Sequence, residues 1–307
     1  MESITPIMVS ISCITYNHAP YIRQCLDGFI MQKTSFAFEV LIHDDCSTDG
    51  TTEIIKEYEA KYPNIIKPLY ETENQYQQGK PSGSAVWNFP RAKGKYIAIC
   101  EGDDYWIDPY KLQKQVDFLE ANPEYSMCFH NVNVVAEGCK LATNLYEHLQ
   151  DKDYTVEEFI SRWTIPTCSV VMRRFITHHV PKDNRFVVGD NVLFTTCALH
   201  GKIRCINEKM GCYRRNVGGW TNGKGIAEKF VKHYEAMMDA FPTIDKEIFD
   251  RERLKSLVSL FLEELRKFDR RCFATLLKGV KGYHFLFVGE VVRRVYLKIG
   301  LSVYRKW

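Results

Sequence analysis

The 307-residue sequence predicts an α/β fold, a sheet with parallel strands flanked by helices. Three observations carry that expectation. From Met8 to Tyr70, β-rich runs alternate with helix-period segments in the order strand–helix–strand–helix–strand. Clusters of Asp, Asn, Ser, Thr, Gly and Pro close the strands. Hydrophobic residues make up 45% and charged residues 26%, the balance of a globular chain with a sizeable core.

The first strand is expected at 8–14, a continuous buried run ending in the turn Thr15-Tyr16-Asn17-His18-Ala19-Pro20. A helical period follows over 21–32, then a strand at 38–43 that breaks into Asp44-Asp45-Cys46-Ser47-Thr48-Asp49-Gly50. Residues 51–61 read as a helix capped by Asp49 or Thr51, and 65–70 as a third strand. The polar segment 71–83 is a loop and 85–93 a helix. A fourth strand, 95–100, ends in Glu101-Gly102-Asp103-Asp104. Residues 111–122 form a helix and 126–135 a strand. Past Asp151 the alternation loosens: strands at 169–172 and 204–206 bracket a helix at 190–200, and the pattern from 227 onward is mostly helical. The expected division is a catalytic α/β domain over 1–225 and a helical, basic extension over 226–307.

Several classes are excluded by composition. No stretch approaches the roughly 18 uncharged apolar residues of a membrane-spanning helix. Met1-Glu2-Ser3-Ile4-Thr5-Pro6 has no basic n-region, so a cytoplasmic location is expected. The eleven cysteines lack Cys-x-x-Cys spacing and sit mostly in apolar runs, which suits reduced, buried thiols. Net charge is +3, yet residues 266–307 hold eleven Lys and Arg against two acids, interleaved with large apolar side chains. Two readings stand for that segment: contact with a membrane surface, or a solvated helix pair. No nucleic-acid motif accompanies it, so no nucleic-acid partner is expected.

The chemistry concentrates in the two acidic clusters, Asp44-Asp45 and Glu101-Gly102-Asp103-Asp104. Both follow strands, and ligands of open α/β sheets bind outside the strands' carboxyl ends. Converging carboxylates repel one another unless a cation offsets them, and such hard oxygen ligands suit Mg²⁺ or Mn²⁺, which in turn bind diphosphates. No Gly-x-Gly-x-x-Gly follows the first strand and no Gly-x-x-x-x-Gly-Lys-Ser/Thr is present, which argues against a dehydrogenase or a P-loop enzyme.

Three strings in this order resemble family 2 glycosyltransferases of the GT-A fold, chiefly bacterial members. They are Val9-Ser10-Ile11-Ser12-Cys13-Ile14-Thr15-Tyr16-Asn17, His43-Asp44-Asp45-Cys46-Ser47-Thr48-Asp49-Gly50-Thr51, and Glu101-Gly102-Asp103-Asp104-Tyr105-Trp106-Ile107-Asp108-Pro109, continued by Lys111-Leu112-Gln113-Lys114-Gln115. The similarity is clear over 7–135 and weaker to about 220. It implies a GT-A mixed sheet flanked by helices, with Mn²⁺ or Mg²⁺ as cofactor. Thr15, Tyr16 and Asn17 would line the base and ribose pocket, and Asp45 with Asp44 would accept hydrogen bonds from the nucleoside. Glu101 would touch the ribose, Asp103 would bind the metal bridging the donor diphosphate, and Asp104 would contact the donor sugar or support the metal. Asp190, at a helix start, would be the base that deprotonates the acceptor hydroxyl. Residues 165–169 resemble an acceptor-side loop, and Trp163, just before it, could stack on a sugar or belong to the core. Residues 211–220 resemble a loop closing over the diphosphate, with Arg214 or Arg215 paired to phosphate and Gly218 and Gly219 as hinges.

The chain departs from the family pattern in four places. Glu101 stands for an Asp, and Cys46 for a Gly, so the turn at 46 is not expected to need positive φ. Asn216 stands where many relatives have His, and Gly189 where others have Glu. His43 and His130 read as core or supporting histidines. The expected reaction is inverting transfer of a sugar from a nucleoside diphosphate donor, with UDP as the expected nucleotide, to an acceptor hydroxyl. A saccharide or lipid-linked saccharide in surface polysaccharide synthesis is the expected acceptor. The alternatives are a non-catalytic binding scaffold of the same fold and a metal-dependent nucleotidyltransferase, whose glycine- and lysine-rich first loop is missing here.

Overall fold

The computed structural model describes residues 6–80, 83–136, 144–162, 164–215 and 225–266. The elements are β1 (Ile7–Thr15), α1 (Ala19–Ile30), β2 (Ala37–Asp44), α2 (Thr51–Lys61), β3 (Ile66–Tyr70), α3 (Ser84–Trp87), β4 (Tyr96–Ile99), β5 (Tyr105–Trp106), α4 (Lys111–Ala121), β6 (Tyr125–Val135), α5 (Val156–Arg162), β7 (Val171–Arg173), α6 (Gly189–His200), β8 (Lys202–Arg214), α7 (Ile226–Ala240) and α8 (Lys246–Arg266). They fall into two compact units, residues 1–180 with 189–217 and residues 181–188 with 218–307.

The first unit holds a mixed sheet in the order β3-β2-β1-β4-β7-β6-β8-β5. β3, β2, β1 and β4 run parallel, the outcome of the strand–helix alternation. β7 is antiparallel to both β4 and β6, and β8 returns parallel to β6. Strands in the middle of the sheet carry the core: Val9, Ile11, Cys13, Val40, Ile42, Ile97 and Ala98 are fully buried. Helix α1 starts on Pro20, whose fixed φ suits a first turn, and buries Ile22, Cys25, Leu26 and Phe29 against the sheet. Burying each of the larger side chains is worth about 1.5–3 kcal/mol. Gly28 lets α1 approach β5 closely, because a Cβ there would sit 2.9 Å from the backbone N and O of Trp106.

Four local features differ from the sequence reading. The helix expected over 85–93 is one turn of α3 followed by a 3₁₀ turn at Phe89–Arg91, since Pro90 supplies no amide to continue an α-helix. Residues 167–169 form a 3₁₀ turn, so β7 begins only at Val171. The two-residue strand β5 and helix α5 carry too little periodicity to be seen. Strand β8 runs far beyond 204–206 to Arg214, passing two register shifts against β6. Residues 211–214, expected in a closing loop, are therefore strand.

In the second unit α7 packs on α8 through Val231, Leu254, Leu257 and Val258. Arg185 there pairs with Asp183 and Asp239. Trp163, the segment 216–220 with Asn216, Gly218 and Gly219, and the basic stretch 267–307 lie outside the described residues. No helix among the described residues is long and apolar enough to cross a membrane. The nine described cysteines are unpaired, and all but Cys46 are buried.

Candidate functional site

The loop after β1 and the loop after β2 are sewn together by the residues of the second motif. Asn17 donates its amide to Ser47 Oγ and accepts the Thr48 amide on Oδ1. The His18 amide donates to Thr51 Oγ1 and the Ala19 amide to Asp49 Oδ2. Asp49 also accepts the Thr51 amide, although the N-cap position of α2 is Gly50 and not Asp49 or Thr51 as expected. Both turns need left-handed backbone: φ is 53° at Asn17 and 62° at Cys46. The expectation that a Cys at 46 avoids positive φ is thus corrected. The turn keeps the conformation a glycine would adopt, held by this lattice of donors at the cost of a non-glycine residue in that region.

The first acidic pair is used by the protein itself. Asp44 Oδ1 accepts the Ser47 amide and hydroxyl, and its Oδ2 the Thr52 hydroxyl. Asp45 Oδ1 accepts the Gln75 amide at 2.7 Å and its Oδ2 the Tyr76 amide at 3.2 Å, which anchors the 71–80 loop. Tyr16, partly exposed, accepts a hydrogen bond from Gln77 of the same loop.

The second cluster is different. The Gly102 amide bonds Ile14 O and the Asp104 amide bonds Glu101 O, so the chain turns tightly after β4. A Cβ at 102 would lie 2.6 Å from Thr15 Oγ1 and 3.0 Å from His18 Nδ1, so only glycine fits between the two acids. Carboxylate oxygens of Glu101, Asp103 and Asp104 lie within 4.8 Å of one another. Burial, with the charges of Asp190, Asp103 and Asp104 added, pushes Glu101 well above the usual carboxylate range. Burial and Asp103 do the same to Asp104, offset in part by the Arg214 amide. That amide donates to Asp104 Oδ1 at 2.7 Å, while Asp104 Oδ2 is buried without a hydrogen-bonding partner among the described residues. Three convergent carboxylates with an orphaned buried oxygen fit a hard divalent cation.

Arg214 is built into this loop from beneath. Its guanidinium lies between the rings of Tyr21 (5.0 Å) and Tyr105 (4.4 Å), donating to Asp103 O at 2.6 Å and to Gln24. It is 6% exposed. Arg215 is half-buried, and its amide bonds Val135 O.

Asp190 opens α6, where its Oδ2 accepts the Thr167 hydroxyl at 2.7 Å. Burial raises its pKa and that hydrogen bond offsets the rise. It lines a small recess with Phe159, Thr164, Ile165, Asn191 and Phe194. Asp190 lies in the same electrostatic field as Glu101, so the structure brings these two predicted residues together. Tyr213 and Tyr146 were not foreseen: their rings meet edge-on at 5.8 Å, and burial with the nearby carboxylates raises both hydroxyls. Tyr213 adjoins Arg214 in the string 211–215, which is the signal that could have found it. His43 is stacked on Trp87 and faces Glu71, and burial lowers its pKa. His130 is buried with Nδ1 on Asn131 O, and burial lowers it too. Neither belongs to the carboxylate cluster.

Residues 10–180 match the family model "Glycosyl transferase family 2". An uncharacterized protein of Mycobacterium tuberculosis is 38% identical over 246 residues, covering 75% of this chain and 68% of the relative. A putative teichuronic acid biosynthesis glycosyltransferase of Bacillus subtilis is 36% identical over 115 residues, 36% of this chain and 42% of the relative. S. aureus TarS in complex with UDP-GlcNAc superposes with a TM-score of 0.62 at 18% identity, covering 92% of this chain and 79% of that one. A Pyrobaculum calidifontis mannosyltransferase with GDP-Man and Mn²⁺ gives 0.56 at 16% identity, covering 99% and 90%. The fold is that of GT-A glycosyltransferases, and the chain belongs to glycosyl transferase family 2.

Proposed function

We propose that the chain is a metal-dependent inverting glycosyltransferase that takes its sugar from a nucleoside diphosphate, with UDP as the nucleotide. The observation that carries this reading is the convergence of Glu101, Asp103 and Asp104 at the end of β4, with Asp190 in their field. Residues 1–225 form the catalytic domain and 226–307 its extension. Thr15, Tyr16 and Asn17 line the nucleoside side with Asp44 and Asp45, and Glu101 and Asp104 the ribose and donor-sugar side. Asp103 is the principal ligand of Mn²⁺ or Mg²⁺. A cation held there offsets the negative charge that builds on the leaving diphosphate. Arg215 faces the phosphates, while Arg214 acts by holding the acidic loop.

In the transfer Asp190 accepts the proton of the acceptor hydroxyl. The hydroxyl oxygen bonds to the anomeric carbon from the face opposite the diphosphate, and the carbon–phosphate-oxygen bond breaks, inverting that carbon. Buried carboxylates of raised pKa suit this proton transfer better than an ionised surface acid would. The acceptor is a saccharide or lipid-linked saccharide of surface polysaccharide synthesis, in keeping with the teichuronic acid relative. The basic segment 266–307 keeps the two readings that its composition allows, contact with the inner face of the cell membrane or a solvated helix pair.

The test is a thermal-shift panel of UDP, GDP, CMP, dTDP and NAD with Mn²⁺, Mg²⁺ or EDTA, since ligands of the native state raise the apparent melting temperature. UDP should shift it only with the metal. No shift with any nucleoside diphosphate would overturn the reading in favour of a binding scaffold. Asp190→Asn should keep the UDP shift and lose transfer by about 10²–10⁴-fold.

A further inference from the structure

The 3₁₀ turn Thr167–Ser169 is fastened on several sides. The Trp106 indole donates to Cys168 O at 2.7 Å, the Gln115 amide to Ser169 O at 2.9 Å, and Ser169 Oγ to Pro166 O at 2.6 Å. Trp106 lies two residues beyond Asp104 and Gln115 lies on α4. One edge of the turn is thereby tied to the acidic loop. From its other edge Thr167, 9% exposed, gives its hydroxyl hydrogen to Asp190 Oδ2.

We propose that Thr167 is the positioning residue for Asp190: its hydroxyl fixes the carboxylate rotamer and occupies Oδ2, which leaves Oδ1 for the acceptor hydroxyl. The proposal rests on the reading of Asp190 as the base. A carboxylate on a helix's first turn has free χ rotation unless an external group holds it. Here the holding group is a β-branched residue with a restricted χ1, on a turn bolted to the loop that carries Glu101, Asp103 and Asp104. The turn therefore sets the spacing between the proton acceptor and the donor-binding carboxylates, and tolerances there are tight. The other titratable groups facing Asp190 are Glu101 and Tyr146. The side chains of α5 and the 164–165 segment that share its recess, Phe159, Thr164 and Ile165, carry no charge.

The experiment uses the full chain labelled with ¹³C at aspartate carboxyls, the Asp190 resonance being assigned from Asp190→Asn. Thr167→Val, isosteric but without the hydroxyl, should move that resonance and strengthen proton binding at Asp190 by about tenfold, the size of a lost hydrogen bond to a charge. Thr167→Ser should restore the native signal. With UDP-GlcNAc and Mn²⁺ as the turnover probe, Thr167→Val should lower kcat by about tenfold with donor KM unchanged. An Asp190 resonance in Thr167→Val identical to that of the parent chain would overturn the proposal, as would failure of Thr167→Ser to restore it. Full turnover by Asp190→Asn would instead remove the base reading and leave the hydrogen-bond result standing, so the two failures are told apart.

Discussion

At the end of β2, Asp44 and Asp45 each accept donors on both carboxylate oxygens, from Ser47 and Thr52 and from Gln75 and Tyr76. At the end of β4, carboxylate oxygens of Glu101, Asp103 and Asp104 crowd within 4.8 Å, and a buried oxygen of Asp104 has no hydrogen bond among the described residues. Both strands flank β1, and both clusters follow the carboxyl ends of parallel strands. The same residue type at equivalent topological positions is thus used in two ways. Where backbone amides and hydroxyls supply the compensation, the carboxylates organise loops. Where three carboxylates converge and a buried oxygen of Asp104 has no hydrogen bond among the described residues, charge is left for a ligand to neutralise.

Breaking the second cluster should have the largest effect. Asp103→Ala should lower metal-dependent sugar transfer by about 10³-fold, the several kcal/mol expected of a lost metal-held charge, with little change in melting temperature. Arg214→Met removes the strut under the same loop while filling the space between Tyr21 and Tyr105. It should weaken Mn²⁺ binding by about 10–100-fold, measured as the Mn²⁺ needed for half-maximal UDP thermal shift, because it acts through the orientation of the ligands. Breaking the first cluster should register chiefly in stability. Asp45→Asn, which cannot accept on both sides, should cost about 1–3 kcal/mol in urea unfolding and expose the 71–80 loop to proteolysis.

An effect of opposite sign concerns a buried cation packed on Trp106, two residues past Asp104. Lys111 is fully buried, its Nζ is 3.8 Å from the centre of the Trp106 ring, and it has no hydrogen-bonding partner. Burial pushes its pKa down to about 7. The unfolded chain binds that proton up to its ordinary value near 10.4, so between about pH 7 and 10.4 the unfolded state holds more protons than the folded one. The penalty is therefore full below pH 7 and fades as pH rises. Lys111→Met should stabilise the fold by about 1–4 kcal/mol at pH 6, with the gain shrinking toward pH 10 in urea titrations.

Much of this was legible in the chain. Period changes between 8 and 135 foretold β1–α1–β2–α2–β3, β4, α4 and β6, because long apolar runs carry strong periodicity. The acidic loop could be picked out as carboxylates at a strand end, and Asp190 through the resemblance to the family. The satisfaction of Asp45 could not, because its donors Gln75 and Tyr76 come from thirty residues along the chain. The two-arginine string offers Arg214 or Arg215 for phosphate and says nothing of ring stacking. Only the extension of β8 turns its side chain between Tyr21 and Tyr105. Positive φ at Cys46 was hidden for a similar reason: the residue type disfavours it, and the donors that enforce it are tertiary.

The most direct test of the contrast between the clusters is electron paramagnetic resonance of Mn²⁺ titrated into the full chain in the presence of UDP, where bound ion loses the free-ion signal. The parent chain and Asp190→Asn should take up one Mn²⁺ per chain, and Asp103→Ala should take up none over the same range. Equal uptake by Asp103→Ala would contradict the assignment of the β4 carboxylates as the metal site.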